Sequence, residues 1–138
     1  MHEQQKSVLA IDPGRAKCGV AIVRRLGPDS FDVLRRAVIP TADLCNALTE
    51  LVARFSPGAV IVGNGTTGNQ VLAAVRQSTG LDAEIVDEKF TSLLARNRYF
   101  QENPPRGLRR LIPVSLQSPP CPIDDYVAVI LAERYLSA

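Results

Sequence analysis

The chain has 138 residues, 16 Lys and Arg against 14 Asp and Glu, and a formal net charge of +2, which predicts one domain with its own core and says little about a partner. Three cysteines, Cys18, Cys45 and Cys121, show no C-x-x-C spacing, which excludes a disulfide framework and a zinc cluster and fits a reducing cytoplasm. The single histidine, His2, lies in a frayed-looking amino terminus (1–6), so Ser-His-Asp and Cys-His mechanisms are excluded and any acid-base or metal chemistry must rest on carboxylates. No apolar run is long enough to span a bilayer and no signal-peptide pattern is present, so a cytoplasmic location is expected.

Val8 to Ile11 runs into Asp12, then Pro13-Gly14, then Lys17 to Val23, which reads as two strands of a tight hairpin with Asp12 at the end of the first. A carboxylate there costs several kcal/mol unless something compensates it. Two readings stand: a turn Asp bonding its own backbone, or a metal-binding acid on a rigid strand. Phe31 to Ile39 follows as a third strand of an antiparallel meander. Leu44, Ala47, Leu48, Leu51, Val52 and Phe55 then mark an amphipathic helix, capped near Asp43 and ended by Pro57-Gly58. Ala59 to Val62 reads as a buried strand, Gly68 to Thr79 as a helix closed by Gly80, and Ala83 to Glu88 as a further strand parallel to the previous one. A helix over Thr91 to Glu102, capped by Thr91 or Ser92, leads into a proline-rich loop from Pro104 to Pro122. Ile123 to Leu136 closes the chain as a helix apolar on most sides.

Gly63-Asn64-Gly65-Thr66-Thr67-Gly68 satisfies G-x-G-x-x-G, with Glu88 twenty residues beyond, the written fingerprint of a dinucleotide site. Too few strands follow it for a Rossmann domain. It reads instead either as a glycine-rich loop whose amides, with Asn64, Thr66 and Thr67, could receive a nucleic-acid phosphate, or as a plain turn. Between Arg96 and Arg110 stand Arg96, Arg98, Arg106, Arg109 and Arg110 against the single acid Glu102. They form either a solvated patch or a phosphate-binding one.

Two further acids can meet Asp12: Glu88 at the end of the last strand and Asp124 or Asp125 at the head of the last helix. Clustered carboxylates raise each other's pKa and persist most naturally around divalent metal. Such a site suits Mg²⁺ or Mn²⁺, and two ions a few Å apart can activate water and stabilise the leaving oxygen of a phosphodiester. At about 100° per residue, Asp124 points opposite Glu133, taken to face water, and lies on the stripe of Val127, Ala128, Leu131 and Tyr135. Asp124 is therefore the expected ligand, with Asp125 a cap or supporting group.

Ile11-Asp12-Pro13-Gly14, Lys17 to Ala21, Val86-Asp87-Glu88-Lys89 and Ile123-Asp124 through Leu136 resemble the YqgF/RuvX family of RuvC-like resolvases, also described as pre-16S rRNA nucleases. The resemblance implies an α/β, ribonuclease H-like fold: a mixed five-stranded sheet, three antiparallel strands then two parallel, with helices on both faces. It also implies a metal-binding active site of Asp12, Glu88 and Asp124; Lys17, Lys89 and Asp125 are taken as accessory groups beside it. The implied substrates are pre-16S rRNA or Holliday junctions, the latter calling for two active sites and hence a homodimer. The sequence departs from the family at Lys89, which stands where Arg is usual, in Asn64-Gly65-Thr66-Thr67 after Gly63, and in a long proline-rich segment. RuvC itself has a fourth acid where Val127 stands. A non-catalytic nucleic-acid-binding module is the rival reading.

Overall fold

The computed structural model describes residues 6–137. His2 and all but the last residue of the stretch expected to fray lie outside that range, and Lys6 is tied down, its carbonyl accepting the Arg25 N–H at 2.9 Å.

Alternation of side chains builds the sheet. Strands β1 (Ser7–Asp12), β2 (Lys17–Gly27) and β3 (Ser30–Pro40) form the meander, and β4 (Ala59–Gly63) and β5 (Glu84–Val86) add in parallel to give the order β3-β2-β1-β4-β5. Leu9 and Ile11 point to one face with Val20, Ile22, Val60 and Val62. There they meet α1 (Leu44–Phe55) and α2 (Gly68–Thr79) through Leu48, Leu51, Val71 and Val75. Val8 and Ala10 point to the other face with Ala21, Val23 and Ile61, covered by α3 (Thr91–Glu102) and α4 (Asp124–Ser137). Both faces are buried, so β1 reads as a continuous apolar run. Helices lie on both faces of a mixed sheet, as expected.

Several boundaries differ from the sequence expectations, each for a local reason. Asp43 makes no capping bond, because Thr41–Asp43 form a 3-10 turn that leads into α1. The helix ends at Ser56, left-handed at φ 45°, whose N–H returns to Val52 O at 2.9 Å. Strand β5 stops at Val86, short of Glu88: Asp87 Oδ1 accepts the Lys89 N–H at 3.0 Å, and Phe90 turns left-handed at φ 66°. That turn replaces the ladder. Neither Thr91 nor Ser92 caps α3. Phe90 holds the cap position without a side-chain bond, and Thr91 Oγ1 donates back to Glu88 O at 2.6 Å. The proline-rich segment contains two 3-10 turns, Gly107–Leu111 and Val114–Leu116. Among the described residues no helix is long and apolar enough to cross a membrane.

Candidate active site

Asp12 ends β1 on the face covered by α4, continuing the even-numbered row Val8, Ala10. Its hairpin partner is Gly19. A Cβ on Gly19 would overlap the Asp124 carbonyl oxygen, so glycine is what lets the head of α4 lie against β2 beside Asp12. At the end of β4, a Cβ on Gly63 would stand 2.5 Å from Glu88 Oε2, and one on Gly65 would stand 3.1 Å from Glu88 Oε1. The glycine-rich loop therefore encloses the Glu88 carboxylate. A carboxylate against Gly63 and Gly65 is a poor neighbour for a dinucleotide pyrophosphate, which disfavours that reading.

Asp12, Glu88 and Asp124 thus come from β1, from the segment after β5 and from α4 to one edge of the sheet, where β1 and β4 run parallel. Burial first, then the charges of Glu88 and Asp124, push the Asp12 carboxyl up from 3.8 to about 7. Glu88 is also raised, by burial and then by neighbouring Asp87. Among the described residues no salt bridge reaches any of the three. Glu88 Oε2 and Asp124 Oδ2 are buried without a hydrogen-bond partner, a costly state for a carboxylate oxygen.

These are hard oxygen donors of the kind Mg²⁺ and Mn²⁺ take, and the orphaned oxygens are what a cation would satisfy. The fit is one of donor chemistry alone: among the described residues no group of three or more His, Cys, Asp or Glu side chains is placed so that it could hold a metal ion.

Asp125 faces away from this edge. Its Oδ2 accepts from Arg36 Nη1 at 3.1 Å, its Oδ1 accepts the Tyr126 N–H at 3.0 Å, and the Arg36 guanidinium lies 4.2 Å above the Tyr126 ring. Glu133, expected to face water, instead forms a bidentate pair with Arg98 at 3.0 and 2.9 Å. That pairing also removes Arg98 from the supposed arginine patch.

The accessory residues scatter. Lys17 is exposed at the start of β2. Lys89 is exposed with its ammonium 5.2 Å from the Phe90 ring centroid. Asn64 Oδ1 accepts the Glu88 N–H at 3.1 Å, so this residue supports the acid's main chain. Thr66 is exposed, and Thr67 has a buried hydroxyl with no partner. Arg96 is half-buried and donates to Val114 O at 2.6 Å, tying α3 to the proline-rich segment where a phosphate contact was expected. Arg106, Arg109 and Arg110 are exposed, and Gln117 steadies their turn through Arg109 O at 2.8 Å and Ile112 O at 2.9 Å. Sequence reasoning missed Gly19, whose signal is only its place opposite Asp12 in the hairpin. It also missed Arg134, whose Nη1 and Nη2 reach Asp87 O at 3.0 Å and Lys89 O at 2.8 Å with nothing local to announce it.

No family model and no curated protein matches the sequence. The chain has the RNase H-like fold of the RuvC-type structures. It superposes on Thermus thermophilus RuvC, solved in complex with a Holliday junction substrate, with TM-score 0.61 at 18% identity, over 96% of this chain and 93% of that one. The yeast mitochondrial Holliday junction resolvase Ydc2 gives TM-score 0.58 at 10% identity over 96% and 78%. Fowlpox virus resolvase, solved with Holliday junction DNA, gives 0.56 at 8% over 95% and 96%.

Proposed function

We propose that this chain is a divalent-metal-dependent nuclease of the YqgF/RuvX type that hydrolyses phosphodiester bonds in branched DNA or in structured RNA such as pre-16S rRNA. The observation that carries the reading is the placement of Glu88 and Asp124 around Asp12 with, among the described residues, no salt bridge to any of the three, and with two orphaned oxygens. A protein that only bound nucleic acid would gain nothing from uncompensated negative charge beside phosphate, which disfavours the binding-module alternative. Asp12, Glu88 and Asp124 are the residues that would hold Mg²⁺ or Mn²⁺, which supplies Lewis acidity and charge neutralisation at a phosphodiester. Gly19, Gly63 and Gly65 leave room for two of these acids, and Asp125 stays out of the cluster on Arg36. Arg106, Arg109 and Arg110, on a steadied and exposed turn, supply phosphate contacts. On a four-way junction the protein acts as a homodimer, since two strands must be cut.

The test is cleavage of a four-way DNA junction and of a structured RNA spanning a 16S rRNA 5′ end, each with Mg²⁺, Mn²⁺ and chelator. Metal-dependent cleavage of either supports the reading and tells the substrates apart. Tight binding without cleavage in any metal replaces it with the binding module.

A further inference from the structure

Glu88 lies two residues beyond the last ladder pair of β5, Gly63 with Val86, so no strand bond fixes its main chain. Other groups hold it from three directions. Its N–H donates to Asn64 Oδ1 at 3.1 Å. Its carbonyl accepts from Thr91 N at 3.0 Å and from Thr91 Oγ1 at 2.6 Å. The two carbonyls that flank it, Asp87 O and Lys89 O, accept from Arg134 Nη1 at 3.0 Å and Nη2 at 2.8 Å.

The last of these contacts differs from the other two in origin. Thr91 is a neighbour of the segment it braces and Asn64 comes from the loop after β4, whereas Arg134 comes from α4, the helix whose head carries Asp124. A planar guanidinium presents two N–H donors in a fixed fork, so it can bridge carbonyls on alternate residues, where an ammonium would act as a single point charge. Its choice of acceptor also matters. Bonded to neutral carbonyls, Arg134 fixes the segment without neutralising the Glu88 carboxylate, whose Oε2 stays free of any partner. Arg134 is exposed, so its removal opens no cavity.

We propose that Arg134 is a positioning residue for Glu88, so that α4 places two of the three acids: Asp124 by its own side chain and Glu88 through the bridged carbonyls of Asp87 and Lys89. The catalytic consequence rests on the nuclease reading above. The consequence for the metal-free protein does not.

Arg134→Gln and Arg134→Lys separate the two. In metal-free Arg134→Gln, exchange of the Glu88 and Thr91 amides accelerates about tenfold, while amides of β1 and β2 keep their protection and the melting temperature stays near that of the parent. Mn²⁺ affinity, read by calorimetry, falls about 10- to 100-fold, the range for removal of a group that orients a metal-binding side chain. Cleavage of the junction or RNA at limiting Mn²⁺ falls in step and recovers as Mn²⁺ saturates, with KM for nucleic acid unchanged. Arg134→Lys, which keeps the charge and loses the fork, recovers only part of the exchange protection and affinity. Unchanged exchange at Glu88 and Thr91 in Arg134→Gln overturns the proposal whatever cleavage shows. Faster exchange with unaltered Mn²⁺ affinity and turnover overturns it too, leaving a brace without a positioning role. A parent protein that neither cleaves nor binds Mn²⁺ refutes the nuclease reading alone, with the placement of Glu88 still decided by exchange.

Discussion

Helix α4 carries a carboxylate near each end, and the fold treats the two in opposite ways. Glu133 is gripped by both terminal nitrogens of Arg98, which also reaches Glu102 Oε2 at 3.0 Å from its Nε; the pairing with Glu133 raises the Arg98 pKa above its ordinary value. Asp124, at the head of the same helix, is set beside Asp12 with a buried oxygen and, among the described residues, no salt bridge. Even the adjacent Asp125 is paired, to Arg36. A chain able to supply arginine to two carboxylates of one helix and not to the third is not short of positive charge. The contrast separates the acids of this helix that are paired to arginine from the one that, among the described residues, has no salt bridge.

The largest effect that tests this contrast is at Asp12. Asp12→Asn abolishes metal-dependent cleavage, measured on the junction and RNA substrates, and leaves the fold intact. In the metal-free protein it stabilises. Because the folded-state pKa of Asp12 is raised from 3.8 to about 7, the native state binds more protons than the unfolded chain between those values, and stability falls as pH rises through that window. The contribution approaches roughly 4 kcal/mol above pH 7. Denaturant titrations of the metal-free protein at pH 5 and pH 8 should show this decline, and Asp12→Asn should flatten it. A parent protein equally stable at both values would mean that Asp12 is not buried beside other carboxylates.

Next in size is the split between neighbours. Asp124→Asn costs orders of magnitude in turnover at saturating Mn²⁺, whereas Asp125→Asn breaks the Arg36 pairing and leaves turnover there close to the parent's. Equal effects would erase the distinction drawn between a free and a paired acid.

The arginine turn gives a smaller, graded effect. Replacing Arg106, Arg109 and Arg110 by Ala flattens the logarithmic salt dependence of nucleic-acid binding by roughly 0.7 to 0.9 for each phosphate that is no longer neutralised. A slope identical to the parent's would reduce the turn to solvated surface.

Smallest for activity is the paired end of α4. Arg98→Ala leaves Glu133, whose side chain is 19% exposed, without its partner and costs about 1 to 3 kcal/mol by denaturant titration, with turnover unchanged. A fall in activity equal to that of Asp124→Asn would show that the two ends are not functionally separate.

The sheet was legible because alternation and apolar runs are local: Val8 to Ile11 and Val20 to Val23 show their strands directly. The sequence reading failed wherever a partner from elsewhere in the chain decides the outcome. Glu88 reads as a strand residue until Asp87 closes its own turn and Asn64, Thr91 and Arg134 take over from the ladder. Glu133 reads as solvent-facing because helix period shows which way a residue points and not that Arg98 of α3 waits there. Asp43 reads as a cap because nothing in the residues themselves announces the 3-10 turn of Thr41–Asp43. The meeting of Asp12, Glu88 and Asp124 could be anticipated from strand ends and one helix head. Their lack of a salt bridge among the described residues could not, since it depends on where every arginine goes.

The close approach of Asp124 to Gly19 joins points more than a hundred residues apart along the chain. In kinetic terms, it is one of the non-local contacts whose loop-closure entropy must be met before they contribute. While the chain is being made, β1 and β2 can pair as soon as they emerge, but the acid edge is finished only after α4 has been synthesised and has docked. The cluster therefore reports completion of the fold: a chain broken off before residue 124 retains Asp12 and Glu88 and lacks both the third acid and the helix that seats it.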